Sequence, residues 1–214
     1  MNKVSIEMLS YEKKLWDQGV KLVAGVDEVG RGPLAGPVVA AAVIFPPDLV
    51  IPEINDSKKL SAKKREEFFE IISQNALGVG IGIVREKMID RINILNASFV
   101  AMAKALDKLP LSPEFVLVDG NHKIPHLSIS QMPIIKGDGL SQTIAAASII
   151  AKVTRDKIMC RYHKKYPDFC FAQNKGYSTK SHLKALNEFG PCKIHRMSFK
   201  QVILVNTNQE ELSL

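Results

Sequence analysis

Hydrophobic and polar residues follow one another along the chain in blocks that predict an α/β protein. Three apolar runs rich in Val, Ile and Ala predict β-strands at 21–28, 37–45 and 76–85. Two further runs, at 115–120 and 132–139, predict strands that each lead into an acidic residue. Because three strands are followed by a helix–strand–strand–helix order, we expect a sheet of about five strands with mixed direction.

Apolar residues three and four positions apart predict helices around these strands. Four predicted helices cover 4–18, 86–108, 179–189 and 196–205, and two more begin near Ser61 and near Ser141. The inner face of the long helix over 86–108 is expected to carry Met88, Ile89, Ile92, Leu95, Phe99, Met102 and Leu106. The chain therefore reads as a single domain over 1–214, with a helical arm over 1–20, a C-terminal helical part over about 179–205 and a flexible tail over 206–214.

Composition narrows the class of protein. A chain of 214 residues with 46% hydrophobic residues is long enough for one domain with a sizeable core. Its net charge of +7 favours a polyanionic partner. The three cysteines suggest no disulfide framework, and no apolar stretch resembles a signal peptide or a membrane span. We therefore expect a cytoplasmic protein that does not bind a membrane, and we expect a monomer.

Four acidic residues occur where an apolar strand gives way to glycine: Asp27, Glu28, Asp119 and Asp138. If folding brings them together, two carboxylates ~4 Å apart repel by about 4 kcal/mol at an effective dielectric of 20, so protonation or a cation must relieve the charge. Oxygen ligands without a His or Cys cage favour Mg²⁺ or Mn²⁺ over zinc. Two such ions suit phosphodiester hydrolysis. Asp138 has an alternative role, as a cap for the helix that begins near Ser141.

Asp27 and Glu28 raise a geometric question, because neighbouring residues of a regular strand point to opposite faces of the sheet. Both can serve one site only if the strand curls at Glu28, or if Glu28 contributes its main-chain carbonyl. The glycines that follow make such a bend feasible.

Seven segments together resemble the ribonuclease HII family, the bacterial type 2 ribonucleases H. They are GVDEVGRGPLAGPV from Gly25, DSKKLS at 56–61, VDGN at 118–121, KGDG at 136–139, IAAASIIAKVTRD at 144–156, GYST at 176–179 and GPCKIHRMSF at 190–199. The resemblance runs in order from about residue 21 to 200. It implies a ribonuclease H-like fold, a five-stranded mixed sheet flanked by helices, with a C-terminal helical part that closes over the substrate.

The resemblance also implies an endonuclease that depends on Mg²⁺ or Mn²⁺ and uses two ions with its substrate. Such enzymes cut the RNA strand of RNA/DNA hybrids and cut 5′ of single ribonucleotides in duplex DNA, leaving a 3′-hydroxyl, and so serve ribonucleotide and RNA primer removal. By this resemblance Asp27, Glu28 and Asp119 are metal ligands and Asp138 is the fourth active-site acid. Asp156 is the alternative fourth acid, although a pairing with Lys152 or Arg155 is favoured for it.

Selection of ribose over deoxyribose requires a contact to the 2′-hydroxyl, which both donates and accepts a hydrogen bond. Main-chain groups of Gly30, Arg31 and Gly32 suit this contact, because glycine lets a sugar approach the backbone. The family resemblance assigns the same role to this tripeptide. It also assigns Tyr177 to packing on the sugar of the next, deoxy nucleotide, although Ser178 departs from the small residue expected there.

Basic residues near these motifs are candidates for phosphate binding. Lys58 and Lys59 precede the helix that begins near Ser61, and Lys180, His182, His195 and Arg196 lie near the C-terminus. Two other functions stay open. One is a type 3 ribonuclease H, which prefers long hybrids and usually carries an extra N-terminal domain. The other is a catalytically silent nucleic-acid-binding module, against which the intact set of acids argues.

Overall fold

The structure, a computed structural model, describes residues 8–205. The first part of the predicted arm and the predicted flexible tail over 206–214 lie outside the described residues. The strands are β1 (Val23–Val29), β2 (Val38–Ile44), β3 (Gly78–Val84), β4 (Phe115–Asp119) and β5 (Ser130–Ile134). The helices are α1 (Ser10–Trp16), α2 (Ala62–Asn75), α3 (Glu86–Asp107), α4 (Gln142–Lys165), α5 (Phe171–Asn174), α6 (Lys180–Phe189) and α7 (200–205), and 3₁₀ turns occupy Gly137–Gly139 and Pro167–Phe169.

The strands form one five-stranded sheet in the order β3-β2-β1-β4-β5. β2 is antiparallel to both β1 and β3, whereas β1, β4 and β5 run parallel to one another. The predicted mixed sheet flanked by helices is therefore confirmed. Because β1 and β4 are parallel neighbours, their carboxyl ends, which carry Asp27 and Asp119, lie at the same edge of the sheet.

Helices cover both faces of the sheet. α4 and α2 pack on one face, where Val39, Ala41 and Val43 of β2 meet the apolar side of α4. α3 packs on the other face against the alternate residues of β1 and β2. α4 crosses β1 at Gly25, where an added Cβ would lie 2.2 Å from the backbone of Thr143. This close approach brings the first turns of α4 to the acidic end of β1.

The helix starts predicted near Ser61 and Ser141 are confirmed, and three predictions about the elements need correction. Ser61 and Ser141 each accept a backbone hydrogen bond, from Lys64 and Ile144 respectively, as the N-caps of α2 and α4. The strand predicted over 132–139 ends at Ile134, because the chain turns there into the 3₁₀ turn that carries Asp138. The last predicted helix begins at 200 rather than 196, after a turn.

The third correction concerns the long helix predicted over 86–108. It is interrupted at Asn93, which has a left-handed φ of 63° and whose side chain accepts a hydrogen bond from the backbone of Asn96. Met88 and Leu95, both predicted on the inner face, are 39% and 37% exposed, whereas Ile89 and Met102 are buried as predicted. Asn tolerates this backbone conformation better than most residues.

The C-terminal elements build a smaller apolar cluster beside the sheet. Leu34, Met159, Phe171, Leu186 and Ile194 are among its buried members. This cluster joins the loop after β1 to α4, α6 and the segment that precedes α7. Within residues 8–205, no helix is both long enough and apolar enough to cross a membrane.

Candidate active site

Three of the predicted acids converge at the carboxyl ends of β1 and β4. Asp27, Asp119 and Asp138 each place a carboxylate oxygen within 4.8 Å of the others. Asp27 and Asp138 are buried, and Asp119 is half-buried. We call these three residues the acid pocket.

The turn after β5 holds Asp138 in place through Asp119. The backbone N–H of Gly137 donates to Oδ1 of Asp119 over 2.7 Å, which ties the 3₁₀ turn to the end of β4. The turn packs closely here, because a Cβ added at Gly137 would lie 2.6 Å from the end of the Ile144 side chain and 3.3 Å from Asp119 Oδ1. Lys136, in a left-handed conformation with φ 58°, starts the turn. The KGDG motif is thus the local structure that aims one acid at another.

Burial and like charge together make the acid pocket electrostatically unfavourable. Burial, then the charges of Glu28 and Asp119, raise the pKa of Asp27 well above its usual value. Burial and the Asp119 carboxylate likewise raise the pKa of Asp138. Lys58 forms an ion pair with one of these acids: its Nζ lies 3.3 Å from Asp138 Oδ2, although the side chain is 77% exposed. Burial alone would lower the pKa of Lys58, but the neighbouring carboxylates raise it.

Two serines support the acid pocket, and the sequence analysis did not single them out. A hydrogen bond from the side chain of Ser148 partly offsets the rise in the pKa of Asp27. The Ser148 hydroxyl also lies 2.9 Å from that of Ser57, both buried. The segment 56–58 therefore contacts the acid pocket at two points: Ser57 bonds to Ser148, and Lys58 pairs with Asp138. The sequence feature that could have indicated Ser148 is its position as a single serine within the apolar run IAAASIIA at 144–151.

Glu28 does not join the group of three. β1 stays paired with β2 as far as Val29, so the strand does not curl at Glu28 and successive side chains alternate between its faces. Glu28 Oε1 instead lies 3.3 Å from Nη1 of Arg31. Burial raises the pKa of Glu28, Arg31 opposes the rise and Asp119 adds to it, so Glu28 remains within electrostatic reach of Asp119.

Asp156, the alternative fourth acid, also lies outside the acid pocket. Its Oδ1 accepts from Nζ of Lys152 at 2.8 Å along α4. Asp138, rather than Asp156, is thus the residue that folding brings to Asp27 and Asp119.

The loop after β1 begins with Gly30, Arg31 and Gly32, here called the GRG segment, and two buried arginines support this loop from behind. Arg196 donates to the carbonyl oxygens of Gly30, Arg31 and Gly36 over 2.6–3.0 Å. Arg155 donates to three more carbonyls, those of Ala35, Pro37 and Lys175. Gly30 has a φ of +98°, and an added Cβ would lie 2.3 Å from Arg155 Nε, so the segment requires glycine there.

This arrangement corrects part of the phosphate-binding prediction. Arg196, His182 and His195 are buried, with exposures of 0%, 0% and 2%. They bond to the protein's own backbone or to one another, so they support loops instead of presenting charge to a phosphate. Lys58, Lys59 and Lys180 are exposed, and phosphate binding by them stays a prediction.

Tyr177 lies beside the GRG segment. The ring is 42% exposed, and its Cε1 would be 3.8 Å from a Cβ added at Gly32. The guanidinium carbon of Arg155 lies 6.0 Å from the ring centroid on the protein side. The predicted recognition residues therefore form one surface, with backbone on one side and an aromatic ring on the other.

The donor set of the acid pocket fits a hard divalent cation. All three donors are carboxylates, as Mg²⁺ and Mn²⁺ prefer. A cation there would offset the like-charge repulsion that, together with burial, raises the pKa of Asp27 and Asp138. A phosphodiester at this edge would meet such an ion beside the exposed Lys58. This is the chemistry of a metal-dependent nuclease.

Comparison with known proteins supports this interpretation. The family model for ribonuclease HII matches residues 24–202. Ribonuclease HII from Syntrophus aciditrophicus is 56% identical over 195 residues, which are 91% of this chain and 92% of that protein. The crystal structure of ribonuclease H2 from Pyrococcus horikoshii superimposes with a TM-score of 0.74 at 25% identity, over 89% of this chain and 99% of that one.

A more distant structure shares the fold. Bst ribonuclease HIII, solved in complex with Mn²⁺, matches with a TM-score of 0.64 at 16% identity, over 90% of this chain and 71% of that chain. The family match and the close relatives decide the assignment: the chain belongs to the ribonuclease HII family and is a ribonuclease H, an endonuclease of a family that depends on divalent metal ions and acts on RNA/DNA hybrids.

Proposed function

We propose that this enzyme cuts 5′ of single ribonucleotides embedded in duplex DNA, as well as the RNA strand of hybrids, and leaves 3′-hydroxyl and 5′-phosphate ends. The observation that carries the proposal is the juxtaposition of Tyr177 with the GRG segment. One ribose can contact the backbone at Gly32 while the sugar of the following nucleotide packs on the ring. Such a surface reads a ribo-to-deoxy junction, which a long hybrid does not contain.

The acid pocket is the proposed metal site, with Mg²⁺ or Mn²⁺ as the ion. Asp27, Asp119 and Asp138 offer their carboxylates there, and Glu28 is a further proposed ligand because its charge interacts with that of Asp119. The chemistry that a pair of divalent ions supplies in such a site is activation of the attacking water and stabilisation of the leaving 3′-oxygen. The Gly137 amide keeps the Asp119 carboxylate oriented.

The GRG segment is proposed to recognise the 2′-hydroxyl through its main chain. Arg196 holds the carbonyls of Gly30 and Arg31 from behind, and Arg155 holds that of Pro37 further along the loop, so the backbone is fixed before substrate binds. Glu28 engages the Arg31 side chain, which links the recognition surface to the acidic edge of the sheet. Lys58 and Lys59 are proposed to contact phosphates.

Several sequence-based expectations complete the proposal. The enzyme is proposed to act as a single-domain monomer in the cytoplasm, where it removes ribonucleotides and RNA primers. Its C-terminal helical part is proposed to help bind the duplex.

The test compares two substrates under three metal conditions. Wild-type protein is incubated with duplex DNA that contains one ribonucleotide and with a long RNA/DNA hybrid, in Mg²⁺, in Mn²⁺ and in EDTA. We expect cleavage of both substrates with either metal and none in EDTA. Efficient cleavage of the hybrid with no cutting at the single ribonucleotide would contradict the proposal and favour a type 3 specificity. Binding without metal-dependent cleavage would favour a silent binding module.

Tyr177→Ala tests the junction role directly. Loss of a base- or sugar-stacking ring costs about 1–3 kcal/mol, so kcat/KM on the single ribonucleotide should fall roughly tenfold or more relative to the hybrid. Tyr177→Phe is the matched control, because it keeps the ring and should keep the preference. Equal losses on both substrates in the Ala variant would remove Tyr177 from substrate selection.

A further inference from the structure

A buried pair of histidines lies behind Tyr177, and the proposed reaction does not use it. His182 is on α6 and His195 is in the segment before α7, with their Nε2 atoms 3.0 Å apart. The rings of Phe169 and Phe171 pack around both imidazoles. Burial lowers the pKa of His182, and burial together with the charge of His182 lowers the pKa of His195 to about 4. Both rings are therefore neutral at pH 7.

The direction of each hydrogen bond follows from one fixed partner. His182 Nδ1 lies 2.8 Å from the carbonyl oxygen of Tyr177, which can only accept, so Nδ1 carries the proton. In a neutral ring the Nε2 of His182 then accepts, and the proton between the rings belongs to Nε2 of His195. His195 Nδ1 is left to accept, and the Cys192 N–H points to it over 2.9 Å. Every polar atom of both rings is satisfied in this single arrangement.

The reverse arrangement fails at Tyr177. If His195 Nδ1 donated to the Cys192 carbonyl, 3.3 Å away, His182 would have to donate from Nε2. Its Nδ1 would then face the Tyr177 oxygen with two lone pairs opposed, which is repulsive. Protonating His182 would relieve that repulsion only by placing a charge in an aromatic, fully buried site. The chain Cys192 to His195 to His182 to Tyr177 therefore runs in one direction.

The segment that carries His195 also contacts the loop directly after the GRG segment. Gly36 N–H donates to the carbonyl of Ile194, and Ala35 pairs with His195 as an isolated β-bridge. Leu34 N–H donates to the carbonyl of Gly176, directly before Tyr177. The histidine chain is thus linked to Tyr177 at one end and to the loop that follows the GRG segment at the other.

We propose that His182 and His195 are positioning residues that hold the Tyr177 backbone and so set the preference for a ribo-to-deoxy junction. This rests on the proposed function of Tyr177. His182 acts through its Nδ1–H donor on the Tyr177 carbonyl, and His195 acts by keeping His182 in that tautomer. Neither ring touches the substrate.

The tautomers are measured first, in the wild-type protein and without substrate. Long-range ¹H–¹⁵N correlation spectra at pH 7 should show His182 protonated on Nδ1 and His195 on Nε2, both neutral. Observation of His182 protonated on Nε2, or of either ring as imidazolium, would overturn the proposal regardless of activity.

Two substitutions then distinguish the contribution of Nδ1 of His182 from that of its Nε2. His182→Asn places an amide N–H where Nδ1 lies and keeps a donor for Tyr177, whereas His182→Gln reaches towards His195 and leaves the Tyr177 carbonyl without a donor. A buried carbonyl that loses its partner costs enough for about a tenfold effect. We expect kcat/KM for the single ribonucleotide, relative to the hybrid, to fall about tenfold in the Gln variant and less than threefold in the Asn variant. Equal relative losses in the two variants would contradict the positioning role.

Tyr177→Ala distinguishes a failure of this proposal from a failure of the proposed function. If that variant changes the substrate preference but the Asn and Gln variants do not differ, Tyr177 reads the junction and the histidine chain does not position it. If Tyr177→Ala leaves the preference unchanged, the junction role itself is wrong.

Discussion

The acid pocket and the buried support of the GRG segment differ in the sign of their charge and in how the protein compensates it. In the acid pocket, three carboxylates converge, and Lys58, which pairs with Asp138, is mostly exposed to solvent. Behind the GRG segment, Arg155 and Arg196 are buried but each donates to several carbonyl oxygens. Burial, then the charge of Arg155, lowers the pKa of Arg196 to about 9, so it keeps its charge at pH 7.

The two regions also differ in the role that we propose for them: catalysis for the acid pocket and substrate recognition for the GRG segment with Tyr177. The acid pocket is the proposed metal site, and an external cation would compensate the negative charge that its converging carboxylates carry. The recognition surface is complete by itself, since its buried donors and acceptors are paired within the protein. Substitutions should therefore have opposite consequences for activity and stability in the two regions.

Asp27→Asn should give the largest effect on activity. Removing a charged donor from the proposed metal site should lower kcat/KM by about 10³-fold or more, equivalent to roughly 4 kcal/mol. The same change should leave metal-free stability at or above that of the wild type. Because the pKa of Asp27 is raised on folding, the folded state binds the proton more tightly than the unfolded state, and stability is lost as the pH rises above the ordinary carboxyl range. Asn does not titrate, so this loss disappears.

Steady-state cleavage and urea unfolding in EDTA at pH 5 and pH 7 check both parts. Asp156→Asn is the matched control, because that carboxylate pairs with Lys152 outside the acid pocket and should retain activity. An Asp27→Asn enzyme with near wild-type turnover would remove Asp27 from the mechanism.

Arg196→Met should show the converse behaviour, with a large loss of stability. It leaves three carbonyls of the loop after β1 without their donor, so the free energy of unfolding should fall by about 3 kcal/mol. Arg161→Met, the same change at an exposed site on α4, should cost less than about 0.5 kcal/mol. Denaturant titrations of both variants test the prediction, and equal stabilities would show that the arginine is not a structural clamp.

Lys58→Gln should give the smallest effect and sharpens the boundary between the regions. Losing one phosphate contact should weaken binding of every substrate about equally and reduce the slope of log K against log salt by about 0.9. Binding to uncut duplex in Ca²⁺ at several salt concentrations measures the slope. Lys108→Gln is the control, because this exposed lysine follows α3 at the opposite end of the sheet. An unchanged slope in Lys58→Gln would exclude the phosphate contact.

The sequence predicted the acid pocket well because topology and motif agree there. Apolar runs ending in acid mark β1 and β4, and parallel neighbours bring such ends together. It also predicted carboxylates as the donor groups, and donors without His or Cys favour Mg²⁺ or Mn²⁺ over zinc. It left the position of Glu28 open, since only the observed pairing of β1 through Val29 shows that the strand remains regular.

The support of the recognition surface was predicted poorly, for a physical reason. Arg and His in polar segments are usually solvated, so a buried clamp looks the same in sequence as a phosphate-binding residue. Only the fold shows that Arg196 faces the carbonyls of Gly30 and Gly36. The break at Asn93 was missed because apolar spacing continues across it, although Asn is a common N-cap.

The most direct test of the central claim is a Mn²⁺ titration of unfolding stability at pH 7 without substrate. A site that binds only the folded protein should raise the free energy of unfolding by about 2.7 kcal/mol when Mn²⁺ is at 100 times its Kd. We expect this increase in the wild type and in Asp156→Asn, and its loss in Asp27→Asn and Asp119→Asn. An equal Mn²⁺ response in all four proteins, or none in the wild type, would contradict a metal site built from these converging carboxylates.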